Sequence, residues 1–175
     1  MRPTLRTESP RRTWLLAACT AALVALQGCS TAPYRPAGSA ALTERSEQSA
    51  LRGRDVALYA MAMLDRDYRW GGRQPESGFD CSGLVRHVFR EAVGLDLHGN
   101  SAALSRLSRP VDSGALQAGD LLFFNTLGQP SSHVGVYVGQ GQFVHAANER
   151  SGVRISRLSE RYYAARFEGA KSVLD

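Results

Sequence analysis

The sequence predicts an α+β domain, with helices from its first half packed on an antiparallel β-sheet from its second half. Three observations carry this. Apolar residues recur at helical spacing from about Gln48 to Leu64 and again from Cys81 to Ala92. From about Leu116 the pattern changes to short β-branched and aromatic runs separated by glycine-rich turns. Helices first and strands afterwards favour an antiparallel sheet over alternating βαβ units.

The chain has 175 residues, enough for one domain with a core, and it is 43% hydrophobic and 21% charged, as globular chains are. Its formal charge is +5, but Arg2, Arg6, Arg11 and Arg12 against Glu8 supply most of it. The chain after residue 28 holds 17 basic and 15 acidic residues. That balance argues against nucleic acid as a partner.

The basic "RRT" ahead of "WLLAACTAALVALQG" reads as an export signal. The apolar run is too short for a membrane span. It ends in Leu26-Gln27-Gly28-Cys29, which resembles the lipobox of bacterial lipoproteins. The resemblance implies cleavage before Cys29 and a diacylglycerol on its sulfur. With Ser30 next rather than Asp, it also implies the outer membrane. Residues 1–28 are therefore expected to be a signal peptide. Residues 29–50 are expected to be the lipidated N-terminus and a flexible tether, and 51–175 the domain. The small, polar, proline-containing "STAPYRPAGSAALTERSE" suits a tether.

The first helix takes its apolar side from Leu51, Val56 or Ala57, Tyr59 and Met63. "DRDYRWGGRQPESG" ends it with glycines and a proline. The second begins at Cys81, with Asp80 as N-cap. Leu84, Val85, Val88 and Ala92 share the face of Cys81, while Arg86, His87 and Arg90 fall on the far side. A short helix covers Ser101 to Leu107. Strands follow at Leu121–Phe124, in the hairpin "HVGVYVGQGQFVHAA", in "GVRIS" and in "FEGAKSVL".

Cys81 is left without a partner once Cys19 leaves with the signal and Cys29 is lipidated. A lone cysteine is ordinarily a small core hydrophobe. The first turn of a helix, however, presents unpaired N–H groups and a dipole that stabilise a thiolate. The hairpin sharpens the choice. A three-residue loop, Gly139-Gln140-Gly141, pairs Val138 with Gln142, Tyr137 with Phe143, Val136 with Val144, Gly135 with His145 and Val134 with Ala146. One face is then valine and alanine, which is core. The other, otherwise not core, carries His133 and His145 diagonally, with Gly135 leaving room for a ring. A two-residue loop would shift the parity and separate the histidines.

Cys81 and His133 would make a nucleophile–base pair, with the imidazole and the helix terminus lowering the thiol pKa. His145 would fix the tautomer and orientation of His133. Asp80 serves better as a cap, and its charge opposes thiolate formation. Asn148 falls on the opposite face, and His98 in a polar loop. The oxyanion needs the Cys81 N–H and a nearby hydroxyl. No cofactor is implied, and no cluster has metal-ligand spacing.

"YRWGG…FDCSGLV", "LQAGDLLFF", "SHVGVYVGQGQFVHAA" and "GVRIS…YYAARFEGAKSVL" resemble the NlpC family of papain-like cell-wall cysteine endopeptidases, from Asp55 to Leu174. The resemblance implies a papain-like fold with Cys81 as nucleophile, His133 as base and His145 as the orienting residue. It implies that Tyr68 helps form the oxyanion site and that Ser82 lines the substrate groove. It implies peptidoglycan as substrate, cut at an amide bond beside diaminopimelate, either after D-Glu or at a D-Ala cross-link, through a thioester. Two departures stand out: Ala118 replaces the usual proline, and "LHGNSAA" replaces a Pro-Arg-type segment. The alternatives are a catalytically silent wall-binding lipoprotein and an acyltransferase on the same fold. The sequence names no regulatory partner.

Overall fold

A computed structural model gives the fold, describing residues 46–174. The expected signal peptide, Cys29 and the tether up to residue 45 lie outside the described residues. The first helix, α1 (Glu47–Ala62), is capped by Ser46, whose Oγ accepts the Ser49 N–H at 3.1 Å. Its buried face is Ser49, Gly53, Val56, Ala57 and Ala60. Leu51, expected on that face, is 51% exposed. The reason is steric. α1 sits so close to the chain that a Cβ on Gly53 would lie 2.1 Å from the Ala118 carbonyl oxygen. Only small side chains fit that contact, and periodicity weighted by bulk overlooks them.

A two-stranded ribbon follows, β1 (Arg73–Gln74) against β2 (Gly78–Phe79). It was not anticipated from the glycine-rich stretch. The second helix, α2 (Cys81–Val93), starts where expected. Asp80 Oδ1 accepts the Gly83 N–H at 2.6 Å, and Gly94 ends the helix in the left-handed conformation. Leu84, Val85 and Val88 are fully buried, each contributing about 2 kcal/mol. The far side is not all solvent: His87 is buried against Tyr59 and Phe79. Next comes α3 (Ser101–Leu107), as expected.

The sheet has six antiparallel strands: β3 (Arg109–Val111), β4 (Leu121–Phe124), β5 (His133–Gly139), β6 (Gln142–Asn148), β7 (Gly152–Arg157) and β8 (Phe167–Ser172). Their spatial order is β3-β8-β4-β5-β6-β7. A short helix, α4 (Arg161–Ala164), precedes β8. Helices α1 and α2 cover one face, where Val134, Val136, Val144 and Ala146 join the main core. The histidine-bearing face is a second core. Leu122, Phe124, Tyr137, Phe143 and Ala170 pack there, under Tyr163 and Phe167. This corrects the expectation of a non-core face. The residues that cover it come from the segment around α4, which carries no strong period of its own.

The β5–β6 hairpin also differs at its tip. Gln140 and Gly141 form a two-residue turn, with φ of 52° and 70°. Gly139, not Val138, pairs with Gln142. A bulge after Tyr137 absorbs the extra residue. Two shifts of parity cancel, so Tyr137 still faces Phe143 and Val136 still faces Val144. The ladder stops there. The expected pairs Gly135–His145 and Val134–Ala146 are not part of it, and His145 and Ala146 pair instead with Arg154 and Val153 of β7.

Candidate functional site

The first turn of α2 is clamped from three sides. Asp80 accepts Gly83 N–H and the Ser82 hydroxyl on Oδ1, and Gly71 N–H on Oδ2, at 2.6, 2.9 and 3.0 Å. Gly83 is required here, because a Cβ would lie 1.9 Å from the Gly72 carbonyl oxygen. The Gly71-Gly72 turn therefore packs directly on the helix start and fixes Cys81. Ser82 is buried by this arrangement and lines a groove beside it.

Cys81 is unpaired and partly exposed, and it packs at the edge of the main core. Its stripe faces the valine side of the sheet, not the histidine side. The thiol reaches the histidine strand at its end. There the backbone N–H of Val134, free of the β6 ladder, and those of Ser82 and Cys81 itself lie close enough to the sulfur to favour its charged form. The Val134 nitrogen is bonded to the His133 carbonyl carbon, so the sulfur lies one peptide away from the His133 backbone. Tyr68 bridges to Phe79 beside the ribbon, within electrostatic reach of Cys81 and Asp80.

His133 Nε2 lies 2.7 Å from His145 Nδ1. That bond leaves Nδ1 of His133 for a reacting group. His145 is fully buried, and its Nε2 meets Ser156 Oγ at 3.1 Å and the Tyr163 hydroxyl at 3.3 Å. The result is a polar chain inside an aromatic cage of Phe124, Phe143 and Tyr163. A Cβ on Gly135 would come within 2.6 Å of the Phe143 ring and 3.2 Å of His145 Cβ, so glycine makes the space this cage needs.

Sequence reasoning missed Ser156 and Tyr163. Ser156 pairs with Phe143 across β6–β7, diagonal to His145, and register arithmetic extended by one strand finds it. Tyr163 depends on where α4 docks, and no local pattern tells it from Tyr162. Asn148 turns away from the site: its side chain accepts N–H bonds from Arg150 and Ser151 in the β6–β7 turn. His98 is exposed beside Asp96.

Burial dominates the electrostatics. It pushes the Cys81 thiol up to about 11, Asp80 adds to the rise, and the three N–H groups oppose it. Burial pushes His133 down to about 4, against the pull of Asp80. Burial also lowers His145, helped by His133 and Arg154. The resting site thus holds a neutral thiol and neutral imidazoles. This corrects the expectation of a lowered thiol pKa: burial is the largest cause and acts the other way, outweighing the backbone N–H groups of the helix start. Burial raises the Tyr68 phenol too, then Cys81 and Asp80, so it stays a hydroxyl donor. Among the described residues, no group of three or more His, Cys, Asp or Glu is placed to hold a metal.

The NlpC/P60 family model matches residues 65–172, which include Cys81 and both histidines. The chain is similar to murein DD-endopeptidase MepH of Escherichia coli strain K12. The two are 34% identical over 142 residues, 79% of this chain and 52% of that one. It is 41% identical over 107 residues to the murein DD-endopeptidase MepS/murein LD-carboxypeptidase of the same strain, covering 61% and 55%. The chain thus spans about half the length of these curated relatives. The solved NlpC/p60 domain of the peptidoglycan hydrolase SagA superposes with a TM-score of 0.60 at 30% identity, over 69% of this chain and 98% of that one. The α+β fold, the four sequence blocks and these likenesses agree: the chain belongs to the NlpC/P60 family.

Proposed function

We propose that this protein is a cysteine peptidase that hydrolyses amide bonds in the peptides of peptidoglycan. The observation that carries the reading is the ordered chain of groups behind Cys81. A thiol in a helix first turn meets the start of β5, whose first residue is an imidazole tied through a second imidazole to Ser156 and Tyr163. The relatives MepH and MepS, murein DD-endopeptidases by name, support the substrate class.

Cys81 is the nucleophile and His133 the base. The sulfur attacks the scissile carbonyl carbon as its proton passes to His133 Nδ1. The charge this creates on His133 is met by His145 Nδ1, which accepts the Nε2 proton at 2.7 Å. His145 then carries its own proton on Nε2, donated to Ser156 or Tyr163. The oxyanion receives the Cys81 N–H and the Tyr68 hydroxyl. His133 returns its proton to the leaving amine, the C–N bond breaks, and a thioester remains. Water, deprotonated by His133, attacks the thioester; the acid leaves and the thiol is restored. A neutral resting pair suits this concerted transfer, because the ion pair forms only as substrate arrives.

The leader belongs to the same reading. Residues 1–28 are a signal peptide with Cys29 lipidated, and the lipid-bearing tether ends before Ser46, because α1 already begins at Glu47 and buries Ser49. The domain that follows then works on the exported side of a membrane, the outer membrane by Ser30. The experiment is digestion of purified sacculi in H2(18)O with mass spectrometry of the released peptides. New carboxyl ends bearing 18O are expected. Products carrying an added amine instead of water would make the protein an acyltransferase, and unaltered sacculi would refute the reading.

A further inference from the structure

A groove of about 410 Å³ opens beside the first turn of α2, flanked by Arg73 of β1 and Arg86 of α2, with Asp80, Ser82 and Asn100 in its wall. Asp80 and Ser82 flank Cys81 in the chain, so the groove lies beside the helix turn that carries the thiol, although Cys81 itself does not line it. Asp80 brings one negative charge against the two positive ones, but it makes no ion pair with either arginine. Its carboxylate is taken up by Gly71 N–H, Gly83 N–H and the Ser82 hydroxyl. No acidic side chain of the described residues forms an ion pair with Arg73 or Arg86. Arg86 is anchored instead through Nε, which donates to the Leu97 carbonyl at 2.9 Å. That leaves its two terminal nitrogens for a ligand. Arg73 is held in place because β1 follows Gly72, whose carbonyl packs on Gly83.

Two arginines without acidic partners beside one committed carboxylate make a site for an anion. The planar fork of Arg matches a carboxylate and gains little from a neutral carboxamide. We propose that this groove receives a free carboxylate of the substrate peptide, and that Arg86 and Arg73 make the protein prefer the acid form to the amidated form. The inference rests on the peptidase reading and adds its substrate preference.

The test uses pairs of synthetic stem peptides; within each pair one carboxylate, that of D-Glu or that of diaminopimelate, is free in one member and amidated in the other. The wild-type protein is expected to show a kcat/KM at least tenfold higher for one acid form than for its amide. In Arg86→Gln and Arg73→Gln that ratio collapses towards one, chiefly through a higher KM for the acid. Calorimetry with Cys81→Ala reads the groove without turnover: the acid peptide binds, the amide binds at least tenfold more weakly, and adding Arg86→Gln removes the difference. Equal binding of acid and amide by Cys81→Ala would overturn the proposal. So would a preference that survives in the double arginine variant. Acid-selective binding in a protein that cleaves neither peptide would keep the groove and refute the peptidase reading instead.

Discussion

Acidification should destabilise this protein through His133 in particular. In the unfolded chain the imidazole titrates near 6.5, while in the fold burial holds it to about 4. Between those values the unfolded state binds a proton that the folded state refuses. Stability attributable to His133 is therefore complete above pH 6.5 and lost as the pH falls towards 4. The loss runs at about 1.4 kcal/mol per pH unit and reaches about 3 kcal/mol at pH 4. His145 and His87, also lowered by burial, act in the same direction. The assay is urea unfolding from pH 7 to pH 4, on wild type and on His133→Gln, whose amide can still donate to His145. Carboxylates titrate in both proteins and cancel in the comparison. The gap in stability between the two should shift by about 3 kcal/mol in favour of the variant over this range. Parallel curves would refute the burial argument, as would an NMR titration placing the His133 ring near 6.5.

Three further outcomes follow from the same geometry. Ser156→Ala removes one partner of His145 Nε2 and leaves Tyr163; kcat on a muropeptide should fall about tenfold with KM little changed, and an unchanged kcat would remove Ser156 from the polar chain. Gly83→Ala drives a methyl group into the Gly72 carbonyl, so the urea midpoint should report a loss of about 2 kcal/mol or more, and wild-type stability would contradict the clamp. Iodoacetamide should label Cys81 ever faster as the pH rises past 9 towards 11 in the substrate-free protein, whereas a rate that levels off below pH 8 would show a resting thiolate.

The parts of the fold legible in sequence were those with a strong local cause. The α2 start follows from Asp80, Cys81 and a bulky apolar stripe, and the strands from β-branched alternation. The histidine pair was legible because face parity survives along a hairpin. It survived here through compensation, a shorter turn and a bulge together, which no reading of Gly139-Gln140-Gly141 alone distinguishes from a three-residue loop. Contacts made by small residues were missed, as Gly53 on Ala118 shows. So was the second core, because Phe124 and Phe143 meet Tyr163 only after α4 docks. The electrostatics were misread for a related reason. A helix terminus is visible in sequence, but the desolvation that outweighs its N–H groups at Cys81 comes from packing by distant residues.

The claim at the centre is that the Cys81 sulfur carries the reaction. Purified wild-type protein and Cys81→Ala, matched for folding by circular dichroism and urea midpoint, should be incubated with the same sacculi and the released muropeptides quantified. The account predicts new peptide ends with wild type and none above background with Cys81→Ala. Equal release by the two proteins would contradict it.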